Sequence, residues 1–320
     1  MSDLKAQAFT SDWTGKPFIL TSPVKRWPLY SCWSVQTLLD QYSQVRFRAE
    51  AVDWPLNTYV QYMRNNVDES PLYLFDRSFH SKMLLSEGAN GDYQVPSCFG
   101  MDLFSVLGPQ RPDHRWLIMG PARSGSTFHK DPNATSAWNA VVRGSKYWMM
   151  FPSSSPPPGV FVSQDQSEVT SPLSIAEWLL GFHAEAREAP GCMEGVCGDG
   201  EVLHVPSGWW HLVINLEESI AITQNFVPER HLRNVIDFLK NKESQVSGFA
   251  KHIESPFALF GKGMQQKFPD LFKSTMDIVE QTQQRKKRKW NEATVEDPEE
   301  GRATNGFQFG FHGGEEDEIP

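Results

Sequence analysis

Six short runs between residues 115 and 227 leave this chain few folds to choose from: "RWLIMG", "TSAWNAVV", "SKYWMMFP", "EVLHVP", "HLVINL" and "SIAITQNFV". Each is dense in β-branched and aromatic residues and too short for a helix of ordinary length. Their separators include "RGS" and the Asp-Gly turn in "CGDGE", which is the chemistry of tight turns between strands. Many short strands at fairly regular spacing make a sandwich or a barrel. One helical stretch, "SIAEWLLGFHAEARE" (174–188), interrupts the block after a Pro-rich loop.

Helical spacing flanks the block on both sides. On the N-terminal side it marks 34–42 and 56–65, followed by an extended aromatic run at 70–76 and Pro-punctuated loops over 96–115. On the C-terminal side it marks "HLRNVIDFLKN" and "FPDLFKSTMDIVEQTQQ", after which the basic run "RKKRK" (285–289) and an acidic Gly-rich tail are expected to be disordered. No internal repeat stands out, so a single folded domain with appendages is expected from 320 residues.

No apolar run approaches membrane-spanning length and the N-terminus lacks a charged-then-apolar leader, so a soluble, non-secreted protein is expected. Four cysteines in this length read as free thiols rather than a disulfide framework. Cys192 and Cys197 lack the two further ligands a closed zinc site needs. The net charge of −9 is mostly local: residues 291–320 hold nine acids against Arg302 alone, leaving the rest of the chain close to neutral.

Against this apolar background a few polar residues demand a reason. On a strand, residues two apart share a face, so His129 and Asp131 can present a nitrogen and an oxygen to one point. His211 enters another apolar strand in "VPSGWWHLVINL". Two imidazoles and a carboxylate form the facial triad of non-haem Fe(II) oxygenases, which leaves open positions for reactants. The spacing alone is weak evidence, because a single histidine on an apolar strand is more often a hydrogen-bonded core residue. His183 and Glu185, like His252 and Glu254, repeat the spacing in text that reads as helical, where such residues diverge by ~200° around the axis.

Lys146 sharpens the reading. Positions 146, 148 and 150 share a strand face, so its ammonium has Trp148 and Met150 for company, an expensive placement unless something anionic meets it. The alternative is that the side chain snorkels to the strand end. A dianionic oxo acid resolves the problem: Fe(II) with one aspartate carries one net positive charge, Lys146 a second, and 2-oxoglutarate cancels both. Thr223 and Asn225, which share a face, and Asn139 are placed to add hydrogen bonds, although each also reads as an ordinary satisfied polar residue.

These residues, in this order, resemble the JmjC branch of the 2-oxoglutarate- and Fe(II)-dependent oxygenases, in particular the subgroup of the bifunctional arginine demethylase and lysyl hydroxylase. The matching text is "SPLY", "RWLIMGPARSGS", His-x-Asp-Pro, "TSAWNAVVRGSKYWMMFP", "VPSGWWHLVINL" and "IAITQNFV", with a weaker match in "PFILTSPVKRWP". The resemblance implies a mainly β fold with flanking helices, a double-stranded β-helix or cupin-like jelly roll. It implies a catalytic domain over 70–228 with a divergent insertion at 153–200, an N-terminal segment (1–69) packed on the barrel, C-terminal helices (229–284) and a tail (285–320). His129, Asp131 and His211 would hold iron. Lys146, Thr223 and Tyr73 would hold the distal carboxylate of 2-oxoglutarate, and Asn139, Asn225 and Ser126 would lie near its metal-chelating end.

The implied activity consumes O₂ and 2-oxoglutarate, releases succinate, and hydroxylates or demethylates lysine or methylated arginine in a basic protein or peptide, with ascorbate as reductant in vitro. Trp138, Trp148, Trp209 and Trp210 are candidates to keep water from the metal, with plain core packing the commoner role for at least two of them. Two other classes stay open: a binding or regulatory module that keeps the fold without catalysis, and an oxygenase acting on RNA or another residue type. The retention of all three ligands and Lys146 counts against the first. "RKKRK" reads as a nuclear-localisation signal or nucleic-acid contact, otherwise as a solvated helix end in a cytoplasmic protein. By analogy with related proteins, 231–284 is a candidate homodimer interface.

Overall fold

In the computed structural model, which describes residues 1, 4–86 and 90–294, the apolar runs pair into antiparallel sheets. In chain order the strands are β1 (Phe18–Leu20), β2 (Arg46–Ala49), β3 (Val52–Pro55), β4 (Leu74–Asp76), β5 (Arg115–Gly120), β6 (Gly125–His129), β7 (Ser136–Arg143), β8 (Lys146–Phe151), β9 (Phe161–Val162), β10 (Val169–Thr170), β11 (Met193–Cys197), β12 (Val202–Val205), β13 (Trp210–Asn215) and β14 (Ser219–Phe226). The large sheet has the order β1-β12-β7-β14-β5-β4-β2-β3 and the smaller one β11-β8-β13-β6. Around the centre the strands alternate: β5, β7, β12 and β14 belong to the large sheet, while β6, β8, β11 and β13 make the small one. Strands that wind back and forth between two facing sheets form the double-stranded β-helix, or jelly roll.

The central strands of the large sheet, β7, β12 and β14, are covered on both faces, which is why they read as unbroken apolar runs rather than alternating ones. On β7 every residue from Ser136 to Val142 is buried. Its Trp138, Ala140 and Val142 pack outward against Phe9, Val24, Trp27 and Phe99, while Ala137 and Val141 face Trp148, Leu203 and Val213 inside the barrel. The N-terminal segment therefore forms the outer core of the large sheet, and through β1, β2 and β3 it also extends it. The helices expected at 34–42 and 56–65 are present as Val35–Tyr42, started by a capping box from Ser34 and Thr37, and Leu56–Asn65.

The 96–115 segment departs from the loop expectation. Ser97–Phe99 and Leu103–Gln110 are 3₁₀-helical, and Leu103, Phe104 and Leu107 pack with Leu232, Val235, Ile236 and Leu239 of the helix Leu232–Asn241. Pro109 and the punctuating glycines disguise a buried apolar face. His252 and Glu254, expected on a helix, lie in the turn region before the helix Pro256–Lys267. The chain divides into two compact units, Met1–Val279 and Glu280–Pro320. In the second, residues through Thr294 continue the helix Pro269–Thr294, so the basic run 285–289 is helical rather than disordered. Gln, Lys and Arg are good helix formers that extend a helix already started, and that wins over their charge. The acidic residues from 295 onward lie outside the described residues.

β6 carries the weakest strand signal, "GSTFH", and it depends on a glycine. A Cβ on Gly125 would lie 2.0 Å from the Val213 carbonyl oxygen on β13. Gly125→Ala is expected to push β6 off β13 and destabilise the fold by about 1–3 kcal/mol, read as a lower urea midpoint. A midpoint equal to wild type would show that the two strands separate freely there.

Candidate metal centre

His129 closes β6, and His211 faces it as its Cα partner on β13. The pairing contains a bulge: β6 spends one more residue than β13 between the His129–His211 and Ser126–Val213 pairs, which re-aims the end of the strand. The two imidazole centroids are 4.2 Å apart. Each ring places Nδ1 against the carbonyl two residues earlier, His129 on Thr127 at 2.8 Å and His211 on Trp209 at 3.1 Å. A carbonyl oxygen only accepts, so both Nδ1 atoms carry the proton and both Nε2 lone pairs remain for a ligand. Burial, with His129 beside it, holds the His211 imidazole well below its ordinary pKa and so neutral, the form that binds metals.

Asp131 is not on the strand, as the spacing argument assumed. It follows the end of β6 in extended backbone (φ −63°, ψ 146°) and leads into the turn Pro132–Ala134. Proline at 132 stops the strand and turns the carboxylate back toward the imidazoles. Its Oδ2 is buried without a hydrogen-bond partner. Burial raises its pKa, opposed by His129 and by a hydrogen bond from Asn225. One donor atom from each of His129, Asp131 and His211 lies within 4.8 Å of the others, and no other group of three His, Cys, Asp or Glu among the described residues comes together in this way. Two imidazole nitrogens and an orphaned carboxylate oxygen around one point fit a divalent iron ion.

Lys146 does not snorkel; it is fully buried. Its Nζ donates to Tyr73 Oη (2.9 Å), Asn215 Oδ1 (2.6 Å) and Ser219 Oγ (3.1 Å), all uncharged. Burial lowers its pKa to about 7. Of the expected cosubstrate residues, Tyr73 thus joins Lys146 directly. Thr223 is the cross-strand partner of Asn139, and its hydroxyl donates to the Trp138 carbonyl at 3.0 Å. Asn139 is buried with an unpartnered Oδ1. Asn225 donates to Thr135 Oγ1 at 2.8 Å, and Ser126 is half-buried on β6. Along β14 the alternate residues Ser219, Ala221, Thr223 and Asn225 share a face, from the Lys146 end to the Asp131 end.

Asn215, Ser219 and Ser124 are missed by the sequence reading. Asn215 and Ser219 sit beside the acidic turn "LEES" and look like loop polarity; only the pairing of Asn215 with Lys146 across β13 and β8 discloses them. Among the tryptophans, Trp148 stands 6.0 Å from the His211 ring, whereas Trp138 packs into the outer core and Trp210 into the cluster around Phe128 and Trp178. Two clefts open beside His129. One runs along β6 past Glu50, Glu69, Arg123 and Ser126 to Leu173; the other is lined by Lys130, Asp131, Asp165, Trp210 and Lys242. The 153–200 insertion contributes to both, so the divergent part of the sequence frames the mouth of the site.

Comparison with known proteins places the same stretch of chain in a family. The profile of the family described as "Cupin-like domain" matches residues 13–231. The arginine-specific demethylase JMJ22 of Arabidopsis thaliana is 41% identical over 302 residues, covering 92% of this chain and 58% of the relative. The bifunctional arginine demethylase and lysyl-hydroxylase psr-1 of Caenorhabditis elegans is 36% identical over 233 residues, 68% of this chain and 57% of the relative. The 2-oxoglutarate and iron-dependent oxygenase JMJD4 of Danio rerio is 30% identical over 204 residues, 60% of this chain and 46% of the relative. The chain thus spans about half the length of these relatives.

Proposed function

The chain belongs to the cupin-like family, in its JmjC branch, and from that premise we propose that it is a 2-oxoglutarate- and Fe(II)-dependent dioxygenase that hydroxylates or demethylates lysine or methylated arginine in protein substrates. The observation that carries the proposal is a barrel with opposite needs at its two ends. His129, Asp131 and His211 converge at one end, and a buried ammonium bonded only to uncharged groups among the described residues waits at the other. A 2-oxo dicarboxylate answers both, chelating metal with its oxo-acid end and pairing with Lys146 through the other. Bound iron and 2-oxoglutarate would supply O₂ activation coupled to release of CO₂ and succinate.

The chain's own work is placement. The Thr127 and Trp209 carbonyls lock the imidazole tautomers, Asn225 steadies Asp131, and Trp148 walls one side of His211. The unpartnered Asn139 Oδ1 is a polar group still lacking a partner within this lining. The lysine or methylated-arginine target rests on what the relatives' names say of them, supported by the carboxylates Glu50 and Glu69 in the cleft beside His129.

The test is succinate formation from 2-oxoglutarate with Fe(II), O₂ and ascorbate, in the presence of peptides bearing lysine or methylated arginine. Peptide mass separates the outcomes: gain of one oxygen for hydroxylation, loss of a methylene for demethylation. No succinate under any of these conditions, with metal and 2-oxoglutarate bound, would favour the binding-module alternative. For location, the helical basic run 285–289 supports the nucleus, and a tagged chain with this run neutralised should leave it. A homodimer through 231–284 would have to use the outer faces of its helices, since Leu232, Val235, Ile236 and Leu239 are already buried within the chain.

A further inference from the structure

We propose that Asn215 is a positioning residue of the cosubstrate site: an uncharged strut that fixes the Lys146 ammonium while leaving its counter-charge to be supplied by the ligand. The inference rests on the 2-oxoglutarate reading above and assigns a role to a residue outside the metal triad.

Asn215 and Lys146 are Cα partners on β13 and β8, so their side chains rise from the same face of the sheet and meet at 2.6 Å. The orientation of the carboxamide is not free. Ser124 Oγ gives its proton to the Pro121 carbonyl at 2.7 Å and can therefore only accept from Asn215 Nδ2, at 3.0 Å. With Nδ2 committed, Oδ1 must face the lysine. The backbone holds the same geometry twice more: Asn215 N–H donates to the Ser124 carbonyl and Arg123 N–H to the Asn215 carbonyl, each at 2.8 Å. Gly120 leaves the space, since a Cβ there would stand 2.2 Å from Ser124 Oγ and 3.0 Å from Asn215 Nδ2. Lys146, Asn215, Ser124 and Ser219 are all buried, so bulk solvent does not reach these bonds.

The chemistry at this position is informative because its isostere would behave oppositely. An aspartate has the shape of asparagine and would form a buried ion pair with Lys146. It would also cancel the positive charge that an incoming carboxylate needs, leaving a neutral site that turns net negative once the carboxylate enters. Tyr73 and Ser219, the other groups bonded to Nζ, are neutral as well. The amide thus aims the cation without satisfying its charge.

The test is calorimetric titration of 2-oxoglutarate, and separately of pyruvate, into the anaerobic Fe(II)-loaded full chain. Pyruvate keeps the chelating oxo-acid end and lacks the distal carboxylate. Asn215→Asp is expected to weaken 2-oxoglutarate by roughly 10- to 100-fold while leaving pyruvate unchanged. Asn215→Ala, which keeps the charge of the site, should weaken it less than Asn215→Asp. Ser124→Ala, which frees the amide to turn, should weaken it about fivefold; this variant serves if Asn215→Asp does not fold. The proposal is overturned if Asn215→Asp binds like wild type, if Asn215→Ala is the worse of the two, or if Ser124→Ala binds like wild type. A wild-type chain that binds no 2-oxoglutarate fails at an earlier step and sinks the oxygenase reading itself.

Discussion

Asp131→Ala is expected to strip the protein of metal and lower succinate formation by more than the ~100-fold at which changes to a ligand's supporting groups top out, without harming the fold. The first half follows from the donor set. Two imidazole ligands remain, but the only negative charge they are joined by is gone, and with it the reason a divalent cation prefers this point to water. The second half follows from the state of Asp131 in the metal-free chain. Its Oδ2 is buried with no partner, and burial pushes its pKa upward. A group held against its own solvation contributes nothing to folding, so removing it leaves metal-free stability equal to wild type or higher. Metal content after dialysis and thermal unfolding of the metal-free proteins read the two halves separately. An alanine variant that keeps its iron removes Asp131 from the site; one that loses iron and unfolds early would make the carboxylate a structural residue.

Lys146→Met carries the second large effect, and pH exposes it. The ammonium's pKa is lowered from 10.5 to about 7 by burial. Between those values the unfolded chain holds a proton that the folded chain has released. Stability of the metal-free wild type therefore rises with pH across this window, by about 1.4 kcal/mol per pH unit from this group, and the burial penalty is fully present below pH ~7. Methionine occupies similar volume without a charge. The variant should lose that slope and compare best with wild type at about pH 6, the gap narrowing toward pH 10, offset throughout by the unpartnered Asn215 Oδ1. Its affinity for 2-oxoglutarate should fall by more than about 30-fold, the low end for removing one partner of a buried charge pair. Urea midpoints of both proteins at several pH values decide the first point, and parallel slopes would refute it.

The part of this site that was legible in the sequence is the part whose oddity is local. A histidine, an aspartate and a lysine in apolar strand text announce themselves one residue at a time, because burying them without a partner is costly wherever the strand goes. The strands of greatest β-branched content were legible for the same reason, and Val35–Tyr42 announced itself by its apolar spacing. Asn215, Ser124 and Ser219 were not, since each is an unremarkable polar residue near a strand end until the register of β13 on β8 brings it to Lys146. β6 was read only at its His129 end, because "GSTFH" has little strand preference and exists by pairing with β13. The 3₁₀ segment over Leu103–Gln110 was hidden by its proline and glycines, and its apolar face makes sense only once the helix Leu232–Asn241 lies against it. Asp131 shows the reverse case: the right residue was reached from a strand geometry it does not have.

The His129–His211 register has one more consequence. Among the described residues β6 is the outermost strand of its sheet, paired with β13 alone, and that strand carries the other imidazole. An ion shared by both histidines is a rivet through the last seam of the sheet, so metal loading should also fasten the edge of the barrel. At a concentration one hundred times the dissociation constant, that linkage is worth about 2.7 kcal/mol. In hydrogen exchange the amides of Gly125–His129 should be the first to slow when iron arrives, and the first to open when a chelator takes it away.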